Sequence, residues 1–144
     1  MADLVSNVVL RASLVAWASA QLLKFLWVLV VERRVDFARL VGPGGMPSSH
    51  TALVSALAAS TGLVAGWGSP VFAVALVFAS IVVYDATGVR QAVGEQAEVL
   101  NRIIDDFYHG RSIHEGRLRE LLGHSPVEAL AGVVLGVAIA VALT

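Results

Sequence analysis

The stretch VSNVVLRASLVAWASAQLLKFLWVLVVERR, residues 5–34, decides the fold. From Val5 to Val31 only Arg11, Gln21 and Lys24 interrupt an apolar run that stops at Glu32-Arg33-Arg34. Such a run exceeds the ~20 residues that carry a helix across a bilayer. It is too long, with too little cleavage-site character, for a removed signal peptide, and it reads as a retained transmembrane helix. Arg11 can snorkel to the outer end. Lys24 sits about two turns inside the Glu32-Arg33-Arg34 boundary. It either faces protein, water or a ligand, or lays its stem along the helix to reach the interface at Arg33.

Three further apolar segments follow. A polar, glycine-rich connection over residues 32–46, ending Val41-Gly42-Pro43-Gly44-Gly45-Met46, breaks regular structure and leads into a second segment, about Pro47 to Val64. The uncharged turn Gly66-Trp67-Gly68-Ser69-Pro70 makes a helical hairpin with a third, Val71 to about Tyr84. The fourth, Pro126 to Leu143, carries one charge, Glu128, and a G-x-x-x-G at Gly132 and Gly136. That motif permits close helix packing and is weak evidence for a homo-oligomer. Between segments three and four, the long polar loop 85–123 collects five arginines, seven acids and two histidines. Within it Val99, Leu100, Ile103, Ile104 and Phe107 recur at helical spacing, as an amphipathic helix on the membrane surface or as a solvated helix packed on the loop.

Composition agrees. Of 144 residues, 57% are apolar and 15% charged, and mean hydropathy is +0.77; four spans leave little chain for a separate soluble domain. The expectation is therefore one all-α domain over residues 1–144, an integral membrane helical bundle of about four transmembrane helices plus an interfacial helix. Ten Lys/Arg against 11 Asp/Glu give a net charge of −1, which argues against nucleic acid as a partner. With no cysteine, thiolate nucleophiles, disulfides and Cys-based metal centres are excluded.

Alternating crossings put residues 32–46 and 85–123 on one side of the membrane, and the 65–70 turn and both termini on the other. Arg33, Arg34, Arg39, Arg90, Arg102, Arg111, Arg117 and Arg119 then share a side, which the positive-inside rule makes cytoplasmic. The same topology gathers Lys24, Pro47-Ser48-Ser49-His50, the stretch Asp85 to Arg90 and the stretch His124 to Glu128 at one membrane face. Ionisable groups at that depth are costly unless they pair or work, so their convergence marks a candidate site.

The residue types point to phosphoryl chemistry. Histidine transfers protons at neutral pH, and His50 and His124 begin two different segments. Two helix starts offer backbone N–H groups and partial positive charge, to which Lys24 and Arg90 add full charges, a cradle for an oxyanion. One imidazole can attack phosphorus while the other protonates the leaving oxygen, and Glu128, four residues after His124, can orient the attacking ring. Bland readings stand beside these: Ser125-Pro126-Val127-Glu128 as a capping box, Ser48 and Ser49 as N-caps, Asp85 with Arg90 as an interfacial ion pair, and His109 and His114 as solvated loop residues. A metal site from Asp85, Glu95 and Asp105 or Asp106 has no recognised spacing.

Three ordered motifs carry a resemblance: Gly44-Gly45-Met46-Pro47-Ser48-Ser49-His50; Tyr84-Asp85-Ala86-Thr87-Gly88-Val89-Arg90 with Gln96-Ala97; and Leu122-Gly123-His124-Ser125-Pro126-Val127-Glu128. From Gln21 and Lys24 to Gly136 the chain resembles the divergent branch of the type 2 phosphatidic acid phosphatase superfamily, which is related to acid phosphatases and vanadium-dependent haloperoxidases. In the wider superfamily a P-S-G-H motif holds the general acid. An S-R-x5-H-x3-D motif holds a phosphate-binding arginine, the nucleophilic histidine and its orienting aspartate. The resemblance thus implies His50 as acid, His124 as nucleophile and Glu128 in place of the aspartate. Lys24 is similar to the lysine of the K-x6-R-P motif, although Val31 stands where the arginine falls. Position 118 is leucine, flanked by Arg117 and Arg119, so the Ser-Arg pair is missing; Arg90 is the preferred substitute and Arg119 the second.

The resemblance implies a lipid phosphate phosphatase that needs no cofactor or metal and acts on a phosphorylated lipid drawn from the surrounding membrane. Lys24, Ser48, Ser49, Arg90 and Arg119 would bind phosphate, with Asp85 and Gln96 in support. The alternative from another class is a lipid-phosphate binding or scaffold protein that keeps the cradle without turnover. The expected location is a bacterial inner (plasma) membrane with the site cytoplasmic, although many bacterial lipid phosphatases of the wider superfamily face the periplasm.

Overall fold

The computed structural model describes residues 6–31, 33, 45–89, 96–97, 99–104 and 125–144. All four apolar segments are helices: α1 Val8–Val31, α2 Ser49–Ala65, α3 Pro70–Tyr84 and α4 Pro126–Leu143. No strand occurs among the described residues. Each of the last three starts on a serine whose hydroxyl accepts an N–H of the first turn: Ser48 from Thr51, Ser69 from Phe72 and Ser125 from Glu128. These caps satisfy helix-start donors that would otherwise be stranded in an apolar setting. Helix α2 stops at Gly66, whose φ of 89° lies in the left-handed region that glycine enters without strain. The Trp67 ring then folds back over Gly62 and meets Phe72 edge-on, with ring centroids 5.1 Å apart, closing the α2–α3 hairpin.

Three helices, α1, α4 and α3 with its extension to Gly88, are long and apolar enough to span a membrane, so the chain is a helical membrane protein. Helix α2 has 17 residues, about 26 Å of helix against a hydrocarbon core of about 30 Å. Its place explains why a shorter helix suffices: eleven of its residues are buried, and it packs on all three of the others. Helix α3 buries only Ala75 and Ala79, which meet Val54 and Ala58 of α2. Beyond Tyr84 the chain continues for one π-helical turn, Asp85–Val89, a widening that the composition of the segment did not announce.

Small residues lie inside and large ones outside. Ala12, Ala16 and Ala20 of α1, Ala52, Ala56 and Ala59 of α2, and Gly132, Gly136 and Ala140 of α4 are buried, whereas Trp17, Trp27, Phe78, Ile81 and Val134 are exposed. Lipid tails are as apolar as leucine, so membrane helices associate by close backbone approach, and small residues permit it. The stretch 99–104 is helical, with Val99, Leu100, Ile103 and Ile104 exposed and Asn101 buried. The stretch is thus a short amphipathic helix with its four apolar side chains exposed; Phe107 lies outside the described residues.

The G-x-x-x-G of α4 is used within the chain. A Cβ at Gly132 would strike the Thr51 hydroxyl and the Ser48 carbonyl, and one at Gly136 would strike the backbone of Ala52 and Ala56. Its sequence support for a homo-oligomer is thereby withdrawn, because the small faces are already covered by α2. Gly136→Leu should destabilise the detergent-solubilised protein by about 3 kcal/mol, as expected for overpacking against backbone. Val141→Leu, on an exposed site, should shift stability by less than about 0.5 kcal/mol. Denaturant titration checks both, and equal effects would show that α4 does not contact α2 through this face.

Candidate functional site

The site is assembled where α2 and α4 begin. The Ser48 N–H donates to the Glu128 carbonyl at 3.0 Å. The Thr51 hydroxyl lies 3.1 Å from both the Ser48 and the Ala129 carbonyls, ready to donate to either. These bonds hold the two helices parallel with their first turns side by side, so both positive dipole ends sit at one end of the bundle. Pro47 and Met46 lead into α2 at the same level.

Helix α1 runs antiparallel to α2 and brings Lys24 to this level. Lys24 is 3% exposed, and its Nζ donates to Gln21 Oε1 at 3.0 Å and Ser49 Oγ at 3.2 Å. The snorkelling alternative is therefore corrected: the ammonium turns inward to the start of α2. A readable signal existed, since Lys24 continues the four-residue spacing of the buried Ala12, Ala16 and Ala20. Residues four apart stack on one helix face, so the lysine inherits the inward direction of that stripe.

The two serines divide their tasks. Ser48 is the N-cap and Ser49 receives the lysine, so the reading of both as ordinary caps holds for Ser48 alone. His50 follows them and is exposed at the open end of the cluster. Glu128 forms the full capping box: its Oε2 accepts the Ser125 N–H at 3.0 Å, and its own N–H donates to Ser125 Oγ at 3.3 Å. The bland reading of this carboxylate is thus correct as far as it goes. A capped carboxylate still presents acceptor capacity at the residue that opens α4.

Asp85 is half-buried at the junction of α3 and the π turn, where its N–H is taken up by the carbonyls of Ile81 and Val82. Gln96 is exposed. His124, Arg90 and Arg119 lie outside the described residues, as do His109, His114 and three of the carboxylates weighed for a metal, Glu95, Asp105 and Asp106. Ser125 to Glu128, the described start of α4, lies level with Lys24 and Ser49. Thr51, which the sequence did not mark, and Gln21, which it marked only as a polar interruption of the first segment and the start of the resemblance, both build the site. Gln21 is 5% exposed and holds the lysine, while Thr51 joins two helix starts that are far apart in sequence.

What this arrangement can do chemically is attract an anion. A buried ammonium and two parallel helix starts gather positive potential at one end of the bundle, offset at α4 by the Glu128 carboxylate that caps its first turn. Ser49 can donate to an oxyanion while accepting from Lys24.

Comparison with known proteins places this geometry in a lineage. Residues 5–139 match the family described as the Divergent PAP2 family. The chain is 38% identical over 154 aligned residues to the uncharacterized membrane protein YuiD of Bacillus subtilis (strain 168), covering 98% of this chain and 96% of that protein. No solved structure matches it. A family match from Val5 to Ile139, and a membrane-protein relative aligned over nearly its whole length, establish that the chain belongs to the Divergent PAP2 family.

Proposed function

We propose that the protein is a membrane-embedded, metal-independent phosphatase that hydrolyses a phosphomonoester or diphosphate on a lipid through a phosphohistidine at His124. The observation that carries this reading is the buried Lys24 ammonium held on Ser49, beside the paired starts of α2 and α4. Burying a charge is costly, and a membrane protein retains one where it binds or reacts. Lys24, Ser49 and the start of α2 hold the phosphoryl oxygens, joined by Arg90 or Arg119. A ring nitrogen of His124 attacks the terminal phosphorus as its bond to the leaving oxygen breaks, the ester oxygen of a monophosphate or the bridging oxygen of a diphosphate, and protonated His50 gives that oxygen its proton. Water then attacks the phosphohistidine and returns a proton to His50. Inorganic phosphate leaves, and His124 is restored. Glu128, fixed by the Ser125 N–H, orients the His124 ring.

A second reading, a lipid-phosphate binding protein without turnover, is favoured by one observation: Leu118 stands where the wider superfamily has the arginine of its Ser-Arg pair. The two readings part on phosphate release. The purified protein in detergent should release phosphate from phosphatidate, phosphatidylglycerophosphate or a prenyl diphosphate with chelator present, and His124→Ala should release none. No release from any of them by the wild type ends the enzyme reading. Phospholipid binding that survives His50→Ala and His124→Ala would then support the second.

Lys24→Met should lower kcat/KM by about tenfold to a hundredfold, the worth of one charge-assisted hydrogen bond. An unchanged value, with the variant folded by denaturant titration, would remove Lys24 from the site.

In this reading the site faces the cytoplasm across the plasma membrane, because the eight loop arginines share its side. The chain has no cysteine, so single cysteines report cleanly. In intact cells an impermeant maleimide should label Gly68→Cys, where nothing crowds the backbone, and spare His109→Cys. The opposite pattern puts the site outside.

A further inference from the structure

An apolar groove of about 580 Å³ runs along the lipid-facing side of the bundle between α1 and α4. Leu23 forms one wall, Met46 and Pro47 close its upper end, and Val127, Leu130, Val134 and Ala138 are among the α4 residues that line it. We propose that this groove seats one hydrocarbon chain of the phosphorylated lipid whose head group is held at Lys24 and Ser49. The inference rests on the phosphate-binding reading of that site and adds the path by which the lipid reaches it.

Two observations choose this occupant. The first is continuity with the charged cluster. At the closed end three groove residues adjoin cluster residues in the chain: Leu23 precedes Lys24, Pro47 precedes Ser48, and Val127 precedes Glu128. The apolar channel therefore ends beside Lys24 and the starts of α2 and α4, apolar surface leading to a cation, the polarity order of a lipid phosphate itself. The second is length. From Val127 to Ala138 helix α4 rises about 17 Å, close to half of the ~30 Å hydrocarbon core. The groove thus covers the depth of one leaflet, as a single lipid molecule does. The exposed face of α3, with Val74, Phe78 and Ile81, is comparably apolar but leads to no comparable cation among the described residues.

Since a chain gains little by moving from lipid to an apolar groove, the groove's effect is orientation: it fixes the lipid so that its phosphate arrives at Lys24. The test is photolabelling of the full-length protein in phosphatidylcholine vesicles with a phosphatidate bearing a diazirine midway along one acyl chain. The matching diacylglycerol, which lacks the phosphate, is the control. Adducts mapped by mass spectrometry should concentrate on Leu130, Val134, Leu135 and Ala138, with a preference for the phosphatidate probe of about tenfold, the selectivity one charge-assisted contact supplies. Equal labelling by both probes, or labelling concentrated on Val74, Phe78 and Ile81, overturns the proposal. So does a groove filled by a second copy, seen as a Val134→Cys disulfide dimer with no lipid adduct at α4. Labelling does not require turnover. Groove adducts without phosphate release would leave the groove standing while the enzyme reading falls, and release without groove adducts would do the reverse.

Discussion

The close approach of α4 to α2 is the constraint on which the remaining structure depends. Gly132 and Gly136 let the helix backbones come near enough for the Ser48 N–H to reach the Glu128 carbonyl and for Thr51 to sit against Ala129. Polar contacts of this kind between membrane helices are individually modest. Here they fix register as well, because they tie the first turns of both helices. With that register set, Ser125 and Ser49 belong to the same end of the bundle, though the chain separates them by more than half its length. Neither helix start alone would be a site. Their pairing, with an ammonium delivered by a third helix, makes the candidate site.

The interior follows a different rule from that of a soluble protein. Its buried positions are mainly alanine, glycine, serine and threonine, and its tryptophans and most large aliphatic side chains look outward. Buried hydroxyls are satisfied locally: Ser60 and Thr61 donate to carbonyls one turn back in α2. This keeps the helix surfaces smooth and lets neighbours approach. A lysine placed among such residues gains partners from short side chains without demanding space, and Gln21 and Ser49 serve it in that way.

The four apolar segments, the serine caps at Ser48 and Ser125 and the meeting of Lys24 with the starts of α2 and α4 were all legible in the sequence. Each depends on local chemistry or on simple alternation across the membrane. The inward direction of Lys24 was harder, because both faces of α1 are apolar and hydropathy contrast is absent. The informative contrast was size, small against large, carried by Ala12, Ala16 and Ala20. The intramolecular use of Gly132 and Gly136 was not readable, since a G-x-x-x-G states that something packs closely without naming the partner. Thr51 escaped notice because its role is defined by a carbonyl 78 positions away. The π turn at Asp85 likewise has no compositional mark.

The unequal helix lengths set the depth of the buried charge. Helix α1 continues from Lys24 to Val31, about 10 Å further along its axis, whereas α2 begins at the level of Lys24. The bundle therefore has a low wall beside a tall one. Lys24 is thus deep with respect to its own helix and shallow with respect to α2, whose first turn receives it.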